Sequence, residues 1–361
     1  MTTLLWDSAT GYDFFISLHV LHQPDLFALR GSWAKGVRTR LPAGAREFFE
    51  ETSPHLLAAL PWVHGLDEPR DGETVLDALA QIPPEERFAR LMKTPEVPPE
   101  ITPTLDRIAG RGKWTGKDLK VFREAGKGYK SSEGELKKML DLWARSAELG
   151  ERTLDALIAY YQAFFAEEEG RIRPALDEAV ARGRAMAVEL PYAELLAELS
   201  EGIRFEEAEI EFLETVMVPS FWITPRILLS RLGPGRGLFV HGGRSADASL
   251  VPGEAVPDAL YLALKALADP TRLRILHYLE EEPQTPSELA KTLRLRAPTV
   301  IHHLNSLRLA GLVYVTFGHG DKRYAARTSR VAEMYLQLRR YLGVAELGTR
   351  DEPSGRPPYT A

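Results

Sequence analysis

Between Leu264 and Tyr324 the chain reads as three short amphipathic helices followed by two short strands around a Gly-rich turn. Asp269 stands where an N-cap belongs, with Pro270 at the first helical position, where its fixed φ and missing N–H do no harm. Leu273, Ile275, Leu276 and Leu279 predict an apolar stripe, and Glu282-Pro283 stops it. The next helix opens on Thr285-Pro286-Ser287-Glu288, a capping box in which the Thr285 oxygen accepts the Glu288 N–H while the Glu288 carboxylate reaches back. Leu289 and Leu293 face inward from it. A third helix starts near Pro298, carries Val300, His303, Leu304 and Leu307 on one face, and ends at Ala310-Gly311. Leu312 to Phe317 and Arg323 to Ala325 are strand-like, with Gly318-His319-Gly320-Asp321 as the tight turn between them. That order of elements is a winged helix-turn-helix, a module shaped to place one helix in a DNA major groove.

The strings LKALADPTRLRIL, SELAKTL and PTVIHHLNSLRLAGLV, the last with the His303-Leu304 pair, resemble the arsenic-repressor (ArsR) family of bacterial regulators. The likeness runs from about Asp258 to Tyr341, roughly a quarter of the chain. It implies a DNA-binding transcriptional regulator, most simply a repressor, that binds a near-palindromic operator as a dimer. The family usually carries Ser where this chain has Arg296 and Ile301. Arg296 cannot cap a helix as Ser does but can reach a phosphate, and Ile301 replaces a polar base-reading side chain with an apolar one. Family metal sites use cysteines in the helix aligned with Ser287 to Leu293, or Asp and His in the last helix. This chain has no cysteine, and Ser329 to Leu342 holds neither Asp nor His, so no metal or other cofactor is expected.

With Val300, His303, Leu304 and Leu307 inward, the opposite arc of the third helix carries Pro298, His302 and Asn305, flanked by Ile301 and Arg308. Ala297 and Thr299 stand at its start. Asn305 suits adenine, Ile301 a thymine methyl, and Arg296 with the wing residues Lys322 and Arg323 suits phosphates; Arg323 is also placed to enter the minor groove. His303 reads as a packed, hydrogen-bonded structural residue. Two apolar stripes, Leu260, Leu264 and Leu267 before Asp269, and Val331, Met334, Tyr335, Leu338, Tyr341 and Leu342 after the wing, exceed what a small domain can bury. They suit a homodimer, with packing against the N-terminal residues as the alternative.

Charge is distributed to match. The whole chain is acidic, at −6, yet Pro283 to Leu342 holds ten Lys/Arg against three Asp/Glu, or +7. An acidic body with a basic module confines phosphate contacts to one face. At 361 residues the chain is too long for one such module. The expected fold is mainly α: residues 1–242 a mostly helical sensor or interaction domain with a small β element, 243–257 a Gly/Ser/Pro-rich linker, 258–345 the winged helix, and 346–361 a disordered tail. Strands are expected at Glu211 to Trp222, Arg226 to Arg231 and Leu238 to Val240, the last two closed by the Gly233–Gly237 hairpin. Absent cysteines, no long apolar run and no signal-like start suit a cytoplasmic protein without membrane contact.

Several tempting motifs weaken on inspection. Gly110 to Lys117 has the wrong spacing for a P-loop, and Asp118 stands where a Ser or Thr must hold magnesium. Arg107 to Lys130 carries eight basic residues against two acidic ones, and reads either as a solvated loop or as an auxiliary contact to DNA or an acidic partner. His19 and His22 share a helix face and read as structural. No nucleophile–base set supports an enzyme. All six tryptophans, and the run Tyr160, Tyr161, Phe164 and Phe165, precede the linker. They either fill a core or line a pocket for an apolar or aromatic small-molecule effector; docking of a protein partner is the other role open to that domain.

Overall fold

The computed structural model describes residues 2–27, 29–125, 132–205, 210–245, 247–253, 256–317 and 322–344. The Gly318–Asp321 turn, the end of the basic stretch and the tail from residue 346 lie outside them.

Strand β1 (Thr3–Trp6) stands where the sequence suggested helix; it pairs in parallel with residues 214–217, far along the chain. Helix α1 (Gly11–His22) follows, with Tyr12, Phe14, Phe15, Ile16, Leu18 and Val20 all fully buried. A helix buried on nearly every side belongs at the centre of a core. Around it lie α2 (Gly31–Thr39), α3 (Ala43–Thr52), α4 (Leu60–His64), α5 (Gly72–Ala80) and α6 (Arg87–Met92). Phe48 and Phe49 are buried as expected, whereas Trp33 and Trp62 are only half-buried at the core's margin. Helices α7 (Thr102–Arg111), α8 (Gly116–Ala125) and α9 (Glu133–Ala144) form a satellite with its own small core around Ile108, Leu140 and Trp143.

Helices α10 (Ser146–Tyr160) and α11 (Ala166–Glu189) run on through a π-helical turn at Tyr161–Phe165. The aromatic run falls on this turn, and its rings pack among themselves and their neighbours: Phe14 on Phe165 at 5.1 Å, Phe164 on Trp222 at 5.7 Å, Trp33 stacked on Trp222 at 6.1 Å. These aromatics are core. Helix α11 lies so close to β1 that a Cβ on Gly183 would sit 2.3 Å from the Trp6 ring.

After α12 (Tyr192–Leu199) come β2 (Ile203–Phe205), β3 (Glu214–Ser220), β4 (Leu228–Gly233) and β5 (Arg236–Gly242). The main sheet has the order β1-β3-β5-β4, with β1, β3 and β5 parallel and β4 antiparallel to β5. Strands β3 and β5 are buried almost throughout, as befits parallel strands covered on both faces. The hairpin at Pro234-Gly235 matches the expected one.

The stretch read as a linker is not a free tether. Gly243 N–H donates to the Ser220 carbonyl, and Leu250 is buried in the main core. Leu250 N–H also donates to Asp258, the first residue of the next helix. Its Gly, Ser and Pro content suits tight turns across a surface as well as it suits flexibility.

The remaining elements are α13 (Asp258–Leu267), α14 (Pro270–Glu281), α15 (Pro286–Leu293), α16 (Ala297–Leu309), β6 (Val313–Phe317), β7 (Arg323–Ala326) and α17 (Thr328–Leu342). Their core of Ile275, Leu279, Leu289, Leu293, Val300, Leu304 and Leu307 is separate from that of the body. Leu273, expected inward, is instead exposed on α14. On one edge β6 pairs antiparallel with β7; on the other it pairs in parallel with β2. The N-terminal body therefore contributes a strand to the sheet of the winged helix.

Candidate nucleic-acid interface

The local signals that start each helix act as the sequence suggests. The Asp269 carboxylate accepts the Arg272 N–H at 3.0 Å. Thr285 Oγ1 accepts the Glu288 N–H at 3.3 Å while Glu288 accepts the Thr285 N–H at 2.7 Å. These hydrogen bonds hold the carboxyls of Asp269 and Glu288 below their usual range, the backbone N–H being the first cause in both. Helix α15 then ends on Arg294 at φ 54°, a left-handed residue that turns the chain sharply, with Leu295 N–H donating back to the Ala290 carbonyl. Arg296 takes the N-cap position of α16 with extended backbone and no capping side-chain bond. Its guanidinium is thereby left exposed at the positive end of the helix.

One face of α16 packs through Val300, Leu304 and Leu307, all fully buried. The opposite face is open: Arg296, Pro298, Thr299, Ile301, His302 and Asn305 are exposed, and Ala297 is half-buried. Ile301 leaves 43% of its surface to solvent, an unusual exposure for an apolar side chain. Arg294 continues this arc. The sequence reading missed it; its signal was its place in the short turn after Leu293.

Two of the expected contacts differ. Arg308 does not flank the arc. It turns onto the body, where Nη1 donates to the Pro225 carbonyl at 3.2 Å, and burial lowers its pKa. His303 is packed as expected, but its buried Nδ1 has no hydrogen-bond partner among the described residues. On the wing, Lys322 and Arg323 are exposed. Arg323 Nη1 donates to the Pro283 carbonyl at 2.9 Å and Nη2 lies 3.6 Å from Glu288, so this side chain braces the wing against the start of α15.

The expected dimer stripes divide in two. Leu260 and Met334 are buried against each other's helices, α13 on α17, with Ala263 between and Leu338 half-buried beside them. These residues therefore hold the module together and are not open for a second chain. Leu264, Val331, Tyr335, Tyr341 and Leu342 remain exposed, joined by Tyr261 and Leu336. Val331, Tyr335 and Leu342 share one face of α17, and the exposed set is larger than scattered surface apolars require.

Other sequence candidates resolve as structure. His19 Nδ1 meets the Ser53 carbonyl at 3.3 Å and His22 Nδ1 the Leu18 carbonyl at 2.8 Å, with burial lowering both pKa values. Asp118 accepts the Thr115 N–H at 2.8 Å and Arg107 at 2.7 Å, so the P-loop-like run is a capped helix start.

Comparison with known proteins meets the chain at this same module. Residues 269–315 match the family described as bacterial regulatory protein, arsR family. The HTH-type transcriptional regulator CmtR of Mycobacterium tuberculosis is 44% identical over 74 residues, 20% of this chain and 63% of that protein. A probable mercury resistance operon repressor of Streptomyces lividans is 31% identical over 83 residues, 23% of this chain and 66% of that protein. An ArsR-like transcriptional regulator from Rhodococcus sp. RHA1, a solved structure, is 30% identical with a TM-score of 0.22, covering 24% of this chain and 80% of that one. The chain thus spans about 63% of the length of the first of these curated relatives, and all of the likeness is C-terminal.

Proposed function

We propose that this chain, whose residues 269–315 form an arsR-family winged helix-turn-helix domain, is a dimeric transcriptional regulator that reads a near-palindromic operator with α16. The observation that carries the reading is the open arc of α16. The body covers other parts of the module, through β2 on β6 and Pro225 on Arg308, yet leaves Arg296, Pro298, Thr299, Ile301, His302 and Asn305 to solvent. Ile301 lies against a thymine methyl, His302 and Asn305 address base edges, and Arg294, Arg296, Lys322 and Arg323 meet phosphates. Arg323 can leave its brace for a phosphate, since its contacts are at the solvent surface.

The second copy is held by the uncovered faces of α13 and α17, chiefly Leu264, Val331, Tyr335, Tyr341 and Leu342. The N-terminal body supplies the second input that makes a regulator switchable, and its firm attachment to β6 gives that input a mechanical route to α16. Repression is the simplest output. Selection from random DNA duplexes by the purified chain tests this: it should enrich two inverted half-sites about one helical turn apart. Enrichment of no sequence, or of a single half-site without symmetry, overturns the reading.

A further inference from the structure

The seam between the body and the winged helix holds a partly open cavity of about 160 Å³. Thr224, Pro225 and Arg244 line it from the body. Ala259 and Leu262 of α13, Leu309 at the end of α16, and Arg327 and Arg330 around the start of α17 line it from the other side. Three buried polar atoms of these residues have no hydrogen-bond partner among the described residues: Arg244 Nη1, Arg327 Nε and Thr224 Oγ1. The Arg244 and Arg327 side chains are only 7% and 8% exposed.

A buried guanidinium lacking an acceptor is among the costlier arrangements in a protein interior. Its nearest carboxylate does not relieve it. Asp258 Oδ2 stands 3.8 Å from Arg244 Nη1, and that oxygen already accepts Leu250 N–H at 2.6 Å and Ser249 Oγ at 3.2 Å. Arg327 spends Nη2 on Glu198 and Arg330 spends Nη1 on Glu333, which leaves Arg244 Nη1 and Arg327 Nε still unanswered in residues that line the cavity. All three orphan atoms can donate, so a fitting occupant supplies acceptors. Phe27, Pro225, Leu262 and Leu309 give the wall an apolar part, so the occupant also carries a hydrocarbon body. Glu201 and Glu333 on the same wall disfavour a multiply charged anion. A volume of this size matches that of a cavity of about 150 Å³ that accepts benzene.

We propose that this seam is an effector site for a compact organic monocarboxylate, bound through its oxygens to Arg244, Arg327 and Thr224. The occupant differs in site and in chemistry from the apolar effector expected among the tryptophans. Because Leu309 ends α16 and Arg330 opens α17, occupancy sets how the reading helix sits on the body. This regulatory half rests on the reading of α16 as a DNA-contacting helix. A ligand shifts operator affinity only by its differential affinity for the two arrangements of the seam, so the response is graded with concentration.

Calorimetry and thermal shift on the full chain, without DNA, test the site with benzoate and the straight-chain acids from butyrate to octanoate, each beside its amide. At least one acid should bind and raise the melting temperature, with its amide about tenfold weaker or more. Arg244→Gln and Ala259→Leu should each weaken the acid about tenfold or more, the second by filling the cavity while leaving the guanidinium in place. No binding by any acid of the panel, equal binding of acid and amide, or wild-type binding by both variants overturns the site. On the selected duplex, the acid should change operator affinity in the wild type and not in Ala259→Leu. Binding of the acid with no change in operator affinity overturns the effector role. A chain that binds the acid but selects no DNA sequence contradicts the reading of α16 and leaves the ligand site standing.

Discussion

Arg308, in the last turn of the helix that presents Ile301, His302 and Asn305, donates its Nη1 to the Pro225 carbonyl of the body at 3.2 Å. The same helix is therefore open to solvent along the arc of Ile301, His302 and Asn305 and anchored to the N-terminal body at its end. The pairing of β2 with β6 and the bond from Arg327 Nη2 to Glu198 at 3.1 Å are further attachments across this joint.

Removing the Arg308 anchor should cost stability and leave base reading in place. Arg308→Met keeps the apolar stem and loses a largely buried charged hydrogen bond, so unfolding by urea should shift by about 1–3 kcal/mol. Operator affinity of the folded variant should stay within about threefold of wild type, since a residue turned away from DNA contributes little to it. Loss of operator affinity without loss of stability would return Arg308 to the DNA-contact set.

Reading and positioning should separate by salt. His302→Ala is expected to weaken specific binding by roughly 1–3 kcal/mol, with relaxed preference at one base position. Lys322→Ala should weaken binding to all sequences alike and reduce the salt slope by about one. Titrations over a range of salt concentrations distinguish the two; equal salt slopes for wild type and Lys322→Ala count against a phosphate contact.

The dimer prediction rests on the residues that remain open. Tyr335→Asp, on the exposed side of α17, should give a folded monomer in sedimentation at micromolar concentration, where the wild type is a dimer. Met334→Ala should instead destabilise each chain by about 2–5 kcal/mol, as truncation of a buried Met does. A wild-type monomer with and without DNA would sink the symmetric arrangement.

Two buried groups give a pH test of the body. His241 lies between Trp6 and Phe239, and burial lowers its pKa to about 4. As pH falls from 6.5 toward 4, the unfolded chain takes up a proton that the folded chain refuses, so stability is lost in that window. Asp13 accepts Ser220 Oγ and the Phe221 N–H, and burial outweighs these bonds to raise its pKa to about 7. Its folded form keeps a proton that the unfolded form releases above about 4, so its contribution falls as pH rises from 4 to 7. The two oppose each other. Relative to wild type, His241→Phe should lower proton uptake on unfolding by up to about one near pH 5.5, and Asp13→Asn should raise it by as much. Urea unfolding from pH 4.5 to 6.5 measures both; parallel stability profiles for all three proteins contradict the assignment.

Much of the DNA-binding module was legible because its signals are local. The Asp269 cap, the Thr285/Glu288 capping box and the periodicity of Val300, Leu304 and Leu307 each act over one or two turns. What stayed hidden depends on distant pairing. Thr3–Trp6 finds its partner at Glu214–Met217, and Ile203–Phe205 finds Val315–Phe317, so neither short strand carries a local cue. The same holds for Arg308, which periodicity places beside the reading arc and only the Pro225 carbonyl turns inward. Leu260 and Met334 illustrate the limit of apolar stripes: spacing shows that a face is buried, not which chain buries it.

The most direct test is titration of the selected duplex with the wild-type chain and with the Ile301/His302/Asn305 triple alanine variant at one salt concentration. The wild type should bind its selected sequence at least about a hundredfold more tightly than a scrambled duplex, and the variant should lose most of that preference while keeping nonspecific affinity. Unchanged operator affinity in a variant that remains folded would contradict the assignment of α16 as the reading helix.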